Sequence, residues 1–167
     1  MDKKVRVKEL TYEAFRIYGS FAKMLEPKGL KLGGGPIEFF PDLGILNLGQ
    51  TMAVGFSGLT IKKREYIITD LECHMYTGEG TIPLNGDILM HVAPGTPKEM
   101  IPLDQIEVFR VPKGTLVTLR PGVWHSAPYT DNTDSVNVVV ILPERTYVND
   151  AYFYHIPDEN QIRIVES

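Results

Sequence analysis

The pattern of hydrophobic and polar residues predicts a strand and a helix near the N-terminus and β-structure in most of the remaining chain. Residues 4–8, KVRVK, alternate with a period of two, which predicts a short strand. Thr11 is a favourable N-cap residue, and the apolar positions behind it recur at helical spacing. These positions, which predict one short amphipathic helix, are Ala14, Phe15, Tyr18 and Ala22. Residues 27–36, PKGLKLGGGP, predict a loop, because consecutive glycines do not hold a regular element cheaply.

From about residue 37 onward the pattern predicts β-structure. Short runs rich in Val, Ile, Thr, Tyr and Phe are separated by turn residues, as in EYIITDLECHMY, GDILMHVA, IEVFRV, GTLVTL and SVNVVVIL. Such spacing is typical of an antiparallel sandwich or barrel, and no second helical pattern is long enough for an α/β fold. We therefore expect an all-β protein, with an N-terminal strand and helix in residues 1–26 and a barrel over about 37–156.

Length and composition narrow the class of protein. The 167 residues suit a single domain, 1–167, and 43% hydrophobic with 23% charged residues excludes disorder for the whole chain. A formal net charge of −4 offers no strongly basic face, so we expect no nucleic-acid partner. No run is long and apolar enough for a secretory signal or a membrane span, so we expect no membrane partner. The single cysteine, Cys73, fits a reducing compartment, and we expect a cytoplasmic protein.

Candidate chemistry lies in two segments, LECHMYTGEGTIPLNGD and GTLVTLRPGVWH. On a strand, Glu72 and His74 point to the same face. The spacing of Glu72, His74, Glu79 and Gly86 resembles the first motif of the cupin superfamily, with Glu72 in place of the usual first histidine and Tyr66 in place of the leading glycine. The second cupin motif is matched by Gly114, Gly122 and His125, whereas Arg120 and Tyr129 replace its proline and asparagine.

This resemblance implies a cupin double-stranded β-helix (jelly-roll) barrel that brings four polar side chains into one pocket. Two imidazoles and two carboxylates, from Glu72, His74, Glu79 and His125, form a mixed donor set suited to one divalent metal ion such as Mn²⁺, Fe²⁺, Ni²⁺ or Zn²⁺. Open positions on such a metal bind and polarise a hydroxy acid or carbonyl. The alternative is a hydrogen-bonded polar pocket without a metal.

Three phrases resemble a narrower family, the ureidoglycolate lyases. They are LTYEAFRIYG, LECHMYTGEGTIPLNG and VWHSAP, and the similarity runs from about Leu10 to about Val140. Glu72, His74 and Glu79 occupy positions of the family pattern, together with an Ile-Pro pair, a glycine and the late Val-Trp-His. The sequence departs from the family at Ser126, where a second histidine is common.

The family resemblance implies a lyase that releases urea and glyoxylate from ureidoglycolate. A base takes the hydroxyl proton, the carbon–nitrogen bond breaks, and urea leaves with a proton. We assign the base role to His125 or Glu72. The substrate carboxylate would be bound by the metal or by a cation, for which the candidates are Lys62, Arg64 and Arg120.

Two other functions remain open at this level, because cupins host many activities. One is another metal-dependent cupin enzyme, an isomerase or a dioxygenase. The other is a non-catalytic module that binds a small carboxylate or sugar. We expect a homodimer, for which the KVRVK strand is a candidate contact through a sheet edge.

Overall fold

A computed structural model describes residues 3–49 and 53–166. Within these ranges the chain forms two large sheets and a separate two-stranded hairpin. The strands are β1 Lys4–Glu9, β2 Gly19–Lys23, β3 Leu32–Gly34, β4 Ile37–Phe39, β5 Val54–Lys62, β6 Ile67–Ile68, β7 Asp70–Cys73, β8 Glu79–Pro83, β9 Ile88–Ala93, β10 Glu107–Val111, β11 Thr115–Leu119, β12 Trp124–His125, β13 Tyr129–Thr130, β14 Ser135–Pro143, β15 Tyr152–His155 and β16 Ile162–Val165. The helices are α1 Tyr12–Phe15 and α2 Thr146–Asn149, and 3₁₀ turns lie at Leu103–Gln105 and Asp158–Asn160. None of the described helices is long and apolar enough to cross a membrane.

The two sheets form the walls of an all-β, cupin-type barrel, as the motifs predict. The larger sheet has nine strands, in the order β15-β7-β12-β9-β10-β1-β16-β6, with β13 also paired to β9. The smaller sheet has five strands, in the order β2-β11-β8-β14-β5. Antiparallel pairing dominates, and the exceptions are the two parallel partners of β1.

Apolar side chains fill both faces of the larger sheet. All six residues of β9 are buried, and its alternate side chains belong to different clusters. Ile88, Met90 and Val92 pack with Phe109 and Phe15 in the space between the two sheets. The other face of the sheet packs in a second cluster that includes Leu71, Cys73, Leu89, Ala93 and Trp124. A strand buried on both faces explains why GDILMHVA reads as a continuous apolar run.

The N-terminal helix is shorter than its pattern predicts. Thr11 caps it, with its hydroxyl 3.3 Å from the Ala14 amide, but the helix ends after one turn and residues 19–23 form β2 instead. β2 pairs with β11, and a Cβ at Gly19 would come within 1.8 Å of the Thr118 carbonyl oxygen. The glycine therefore permits a close strand contact that outweighs the weak preference of this segment for a helix.

The KVRVK strand lies inside a sheet rather than at its edge. β1 is hydrogen-bonded on one side to β10 and on the other to β16. In the described chain the strand thus lies between two others, an arrangement that does not favour the predicted contact through its edge. β1 and β16 also extend the large sheet beyond the 37–156 range predicted for the barrel.

Candidate active site

Strand alternation delivers two side chains of the first motif to the interior of the barrel. On β7, Leu71 and Cys73 pack in the outer cluster, so Glu72 faces the cavity between the sheets. His74 follows directly after β7 and lines the same cavity. Glu79 begins β8 in the opposite sheet and faces the cavity with Thr81.

His125 reaches the cavity from the second motif. Its neighbour Trp124 is fully buried in the outer cluster, and the alternation of β12 turns the imidazole inward. Gly122, which precedes this strand, has a φ of +80°, and its amide donates to the His74 carbonyl oxygen at 2.6 Å. The motif glycine thus ties the turn before His125 to the backbone of His74, in a conformation that glycine adopts readily.

These four residues line one cavity of about 560 Å³, a size typical of small-molecule sites. Its wall also contains apolar side chains such as Leu59, Met90 and Val140. Besides the four predicted residues, its charged wall residues are Glu144 and Arg145.

Three of the four side chains converge. The potential ligand atoms of His74, Glu79 and His125 all lie within 4.8 Å of one another. Nε2 of His125 lies 3.2 Å from Oε2 of Glu79, and Nε2 of His74 lies 3.4 Å from the same oxygen. Glu72 is on the cavity wall, opposite His125 in the strand pairing, but outside this group of three.

Hydrogen bonds at the Nδ1 atoms of His74 and His125 determine which nitrogen of each neutral imidazole carries the proton. Nδ1 of His74 donates to the Asp150 carbonyl oxygen at 2.6 Å, and Nδ1 of His125 donates to the Val123 carbonyl oxygen at 2.9 Å. A carbonyl oxygen only accepts, so each Nδ1 carries a proton, and a neutral ring then presents the lone pair of Nε2 to the cavity.

Two imidazole lone pairs aimed at one carboxylate oxygen require positive charge between them. That charge comes either from protons on the rings or from a cation. Nε2 of His74 is buried and makes no hydrogen bond of normal geometry with any residue in the described ranges. The other oxygen of Glu79 accepts a hydrogen bond from Thr81 at 3.0 Å, which leaves Oε2 directed at the histidines. This donor set fits a divalent metal ion.

The pKa shifts of Glu79 and His125 also favour a negative carboxylate next to a positive charge. Burial alone would raise the pKa of Glu79, but the positive charge and hydrogen bond of His125, together with the nearby His74 imidazole, hold it well below its usual range. Burial would lower the pKa of His125, but Glu79 and then Glu72 raise it to about 9. The pKa of Glu72 is raised, mainly by burial and further by the charge of Glu79, although His125 opposes the shift.

The structure places the three predicted cations outside the cavity wall. Lys62 is exposed at the end of β5. The residues of β5 that line the cavity, Gly55, Ser57 and Leu59, lie on the opposite face of the strand from Lys62. The guanidinium of Arg64 donates to the Ala127 carbonyl oxygen at 2.8 Å and lies 3.9 Å from the centre of the Tyr129 ring. Arg120 is exposed and donates to the Ile17 carbonyl oxygen at 3.3 Å.

The sequence reading missed two residues of this site, Asp150 and Arg145. The carboxylate of Asp150 accepts from the Met75 and Tyr76 amides at 2.9 and 2.8 Å, while its carbonyl orients His74. Arg145 lines the cavity from the turn after β14. Neither residue belongs to a motif, so only the folded chain reveals them.

The barrel and its converging histidines and glutamate define a cupin-type protein with a candidate metal site. A model of the ureidoglycolate lyase family matches residues 2–162. The chain therefore belongs to the ureidoglycolate lyase family, and the prediction of a lyase of this type is confirmed at the level of the family. No curated protein matches the chain.

The solved structures that are similar to the chain include two enzymes. One is Bacillus subtilis oxalate decarboxylase, in a structure concerned with its Mn(II) centres, at 12% identity and a TM-score of 0.44, covering 62% of this chain. The chain spans only 24% of the length of that protein. The other is a dTDP sugar isomerase from Desulfovibrio desulfuricans G20, at 14% identity and a TM-score of 0.48, covering 84% of each chain.

Proposed function

We propose that this chain is a metal-dependent ureidoglycolate lyase, in which His74, Glu79 and His125 hold one divalent cation. The family match supports the reaction. The observation that carries the metal site is the approach of two Nε2 atoms to one Glu79 oxygen, while both Nδ1 atoms are occupied by carbonyl oxygens. A divalent ion bound there would polarise the hydroxyl oxygen of an α-hydroxy acid.

Glu72 is the best-placed residue to move the protons of the reaction. It lines the cavity and lies outside the convergent group, and burial raises its pKa above the usual carboxyl value. A carboxylate placed in this way suits a group that accepts a proton and then returns it. His125 was the other candidate base, but its Nε2 faces Glu79 within the group that would bind the metal.

A single carboxylate, Glu72, can carry out both proton transfers of the reaction. Glu72 takes the proton of the substrate hydroxyl, and the electron pair of the O–H bond forms the carbonyl of glyoxylate. The carbon–nitrogen bond breaks, its electron pair passes to the departing nitrogen, and Glu72 returns the proton there to give urea. No oxidant, reductant or water is consumed.

A product assay tests the proposed reaction. Protein purified without chelators and supplied with Mn²⁺, Fe²⁺, Ni²⁺ or Zn²⁺ in turn is given (S)-ureidoglycolate, and glyoxylate and urea are measured together. We expect equal amounts of both products from the wild type and none above background from His125→Ala. Tight binding of the substrate without either product would instead indicate a binding module and would overturn the lyase proposal.

We further propose that the enzyme works as a homodimer in the cytoplasm. The single, buried thiol of Cys73 agrees with a reducing compartment. The hairpin of β3 and β4 supports the dimer, because every residue of both strands is exposed and, in the described part of the chain, the two strands pair only with each other. Isolated two-stranded hairpins are marginally stable in water, so a second copy packed on Leu32, Ile37 and Phe39 would stabilise this one.

A further inference from the structure

The cavity wall is rich in acidic groups. Glu72, Glu79 and Glu144 all line it, whereas Arg145 is the only lysine or arginine in the wall among the residues that the structure describes. A substrate that carries a carboxylate would be repelled by these acidic side chains unless positive charge compensates. The group of three supplies such charge at the inner end of the cavity only if it holds a cation or is protonated.

The backbone of Arg145 has an unusual conformation. Its φ is +62° and its ψ is +25°, the left-handed region that a side chain with a Cβ disfavours. Glycine or asparagine would occupy this position at lower cost, so the arginine carries a local backbone penalty. Such penalties cluster at functional sites, where a particular side chain is required.

The structure around Arg145 fixes its backbone but leaves its side chain available. The Arg145 carbonyl oxygen accepts from the Val148 and Asn149 amides at 2.9 and 3.0 Å, and the buried Thr146 hydroxyl donates to the Pro143 carbonyl oxygen at 2.8 Å. The Arg145 side chain is 71% exposed, and its only ion pair in the described ranges is with Glu144 at 3.7 Å. An exposed pair of this length contributes little free energy, so a substrate carboxylate can replace Glu144.

We infer that Arg145 binds the carboxylate of the substrate at the mouth of the cavity and makes the enzyme specific for α-hydroxy acids that bear a free carboxylate. This inference rests on the proposed lyase function and assigns to Arg145 the role that the sequence suggested for Lys62, Arg64 or Arg120. The guanidinium suits this task because its planar N–H groups bind a carboxylate through two parallel hydrogen bonds.

Replacing the arginine by glycine separates this role from a structural one. In Arg145→Gly the left-handed conformation is retained without penalty, so the melting temperature should stay the same or rise. The KM for ureidoglycolate should rise ~10- to 100-fold, as expected for the loss of a charge-assisted hydrogen bond. Arg163→Ala, a change at an exposed arginine on β16 that does not line the cavity, is the matched control and should leave KM unchanged.

A substrate without the charge gives the sharpest comparison. The methyl ester of ureidoglycolate should be a poor substrate for the wild type. In Arg145→Gly the ratio of kcat/KM for the acid to kcat/KM for the ester should fall by ~10- to 100-fold, the same factor as the rise in KM. If Arg145→Gly changes neither KM nor the preference for the acid over the ester, the inference is overturned. It is also overturned if the expected KM increase occurs in Arg64→Ala and not in Arg145→Gly.

Calorimetry keeps this test separate from the lyase proposal. If the wild type forms no glyoxylate, the lyase proposal fails, and titration with glycolate then decides the role of Arg145 without turnover. Weaker glycolate binding in Arg145→Gly than in Arg163→Ala would support the inference in that case. Equal binding by the two variants would overturn it.

Discussion

Glu72 and His125 lie directly opposite each other in the pairing of β7 with β12, and both side chains face the cavity. Their strand neighbours Cys73 and Trp124 are buried on the other face of the sheet. The alternation of two short strands therefore determines which side chains are available for chemistry. It also gives Glu72 a different role from Glu79, which contacts the histidines from the opposite sheet.

The proton-transfer role of Glu72 predicts a loss of turnover without a loss of metal. In Glu72→Gln the shape of the side chain is kept but it can no longer accept a proton, so kcat should fall ~100- to 10,000-fold. Steady-state assays of glyoxylate release measure this effect, and metal analysis of the same preparations provides the control. A kcat within about threefold of the wild type would show that another group moves the proton.

The conformation of Gly122 predicts a measurable loss of stability on substitution. A Cβ at Gly122 would meet nothing within 4 Å, so Gly122→Ala carries only the cost of its φ of +80°, about 1–2 kcal/mol of unfolding free energy. Urea unfolding monitored by Trp124 fluorescence measures this cost. Gly58→Ala is the matched control, since a Cβ there also meets nothing within 4 Å and its φ is not positive. Equal stabilities of the two variants would contradict the prediction.

His91 predicts a loss of stability in acid. Burial lowers its pKa from 6.5 to about 3; the backbone of Asp70 opposes the shift, and the charges of His125 and Arg64 add to it. Because the folded pKa lies below the unfolded one, the unfolded state binds the extra proton between about pH 3 and 6.5. The contribution is fully present above pH 6.5 and is lost as the pH falls through this window.

Replacing His91 by leucine removes the proton that the unfolded state would otherwise take up at this residue. The free energy of unfolding of the wild type should fall more steeply than that of His91→Leu below pH 6.5, by at most ~1.4 kcal/mol per pH unit. Urea unfolding at pH 7.5, 6, 5 and 4 gives both slopes. Parallel slopes for the two proteins would mean that His91 is not held neutral by burial.

The exposed hairpin predicts the oligomeric state. Ile37 and Phe39 are 71% and 59% exposed, and a dimer contact would cover them. Light scattering should give the wild type twice the 18.8 kDa mass of one chain, and Ile37→Ser with Phe39→Ser should give a single chain. Leu84→Ser, at a residue 53% exposed in another turn, should remain dimeric. A wild type of monomeric mass would contradict the proposed dimer.

The motifs were sufficient to predict the barrel and the residues that meet inside it. His74, Glu79 and His125 could be found because their spacing is imposed by short strands and fixed turns, which leave a pattern in the sequence. In the structure the same alternation places Cys73 and Trp124 on the opposite face of their strands. Local pattern thus determined both the fold class and the inner face of the strands.

Contacts between distant segments could not be predicted in this way. The helical pattern after Thr11 ends at one turn because β2 pairs with β11, about a hundred residues later in the chain. Arg145 enters the cavity through a turn conformation that no residue preference predicts, and Arg64 is withdrawn from it by Ala127 and Tyr129. Each of these outcomes depends on tertiary packing.

Metal stoichiometry tests the central claim most directly, because everything proposed for the site depends on His74, Glu79 and His125 holding one cation. Plasma mass spectrometry of protein purified without chelators should find about one divalent metal ion per chain in the wild type. It should find less than about a tenth of that in Glu79→Gln, whose side chain has the same shape but lacks the charge. Equal metal content in the two proteins, or none in a wild type that still releases glyoxylate, would contradict the account.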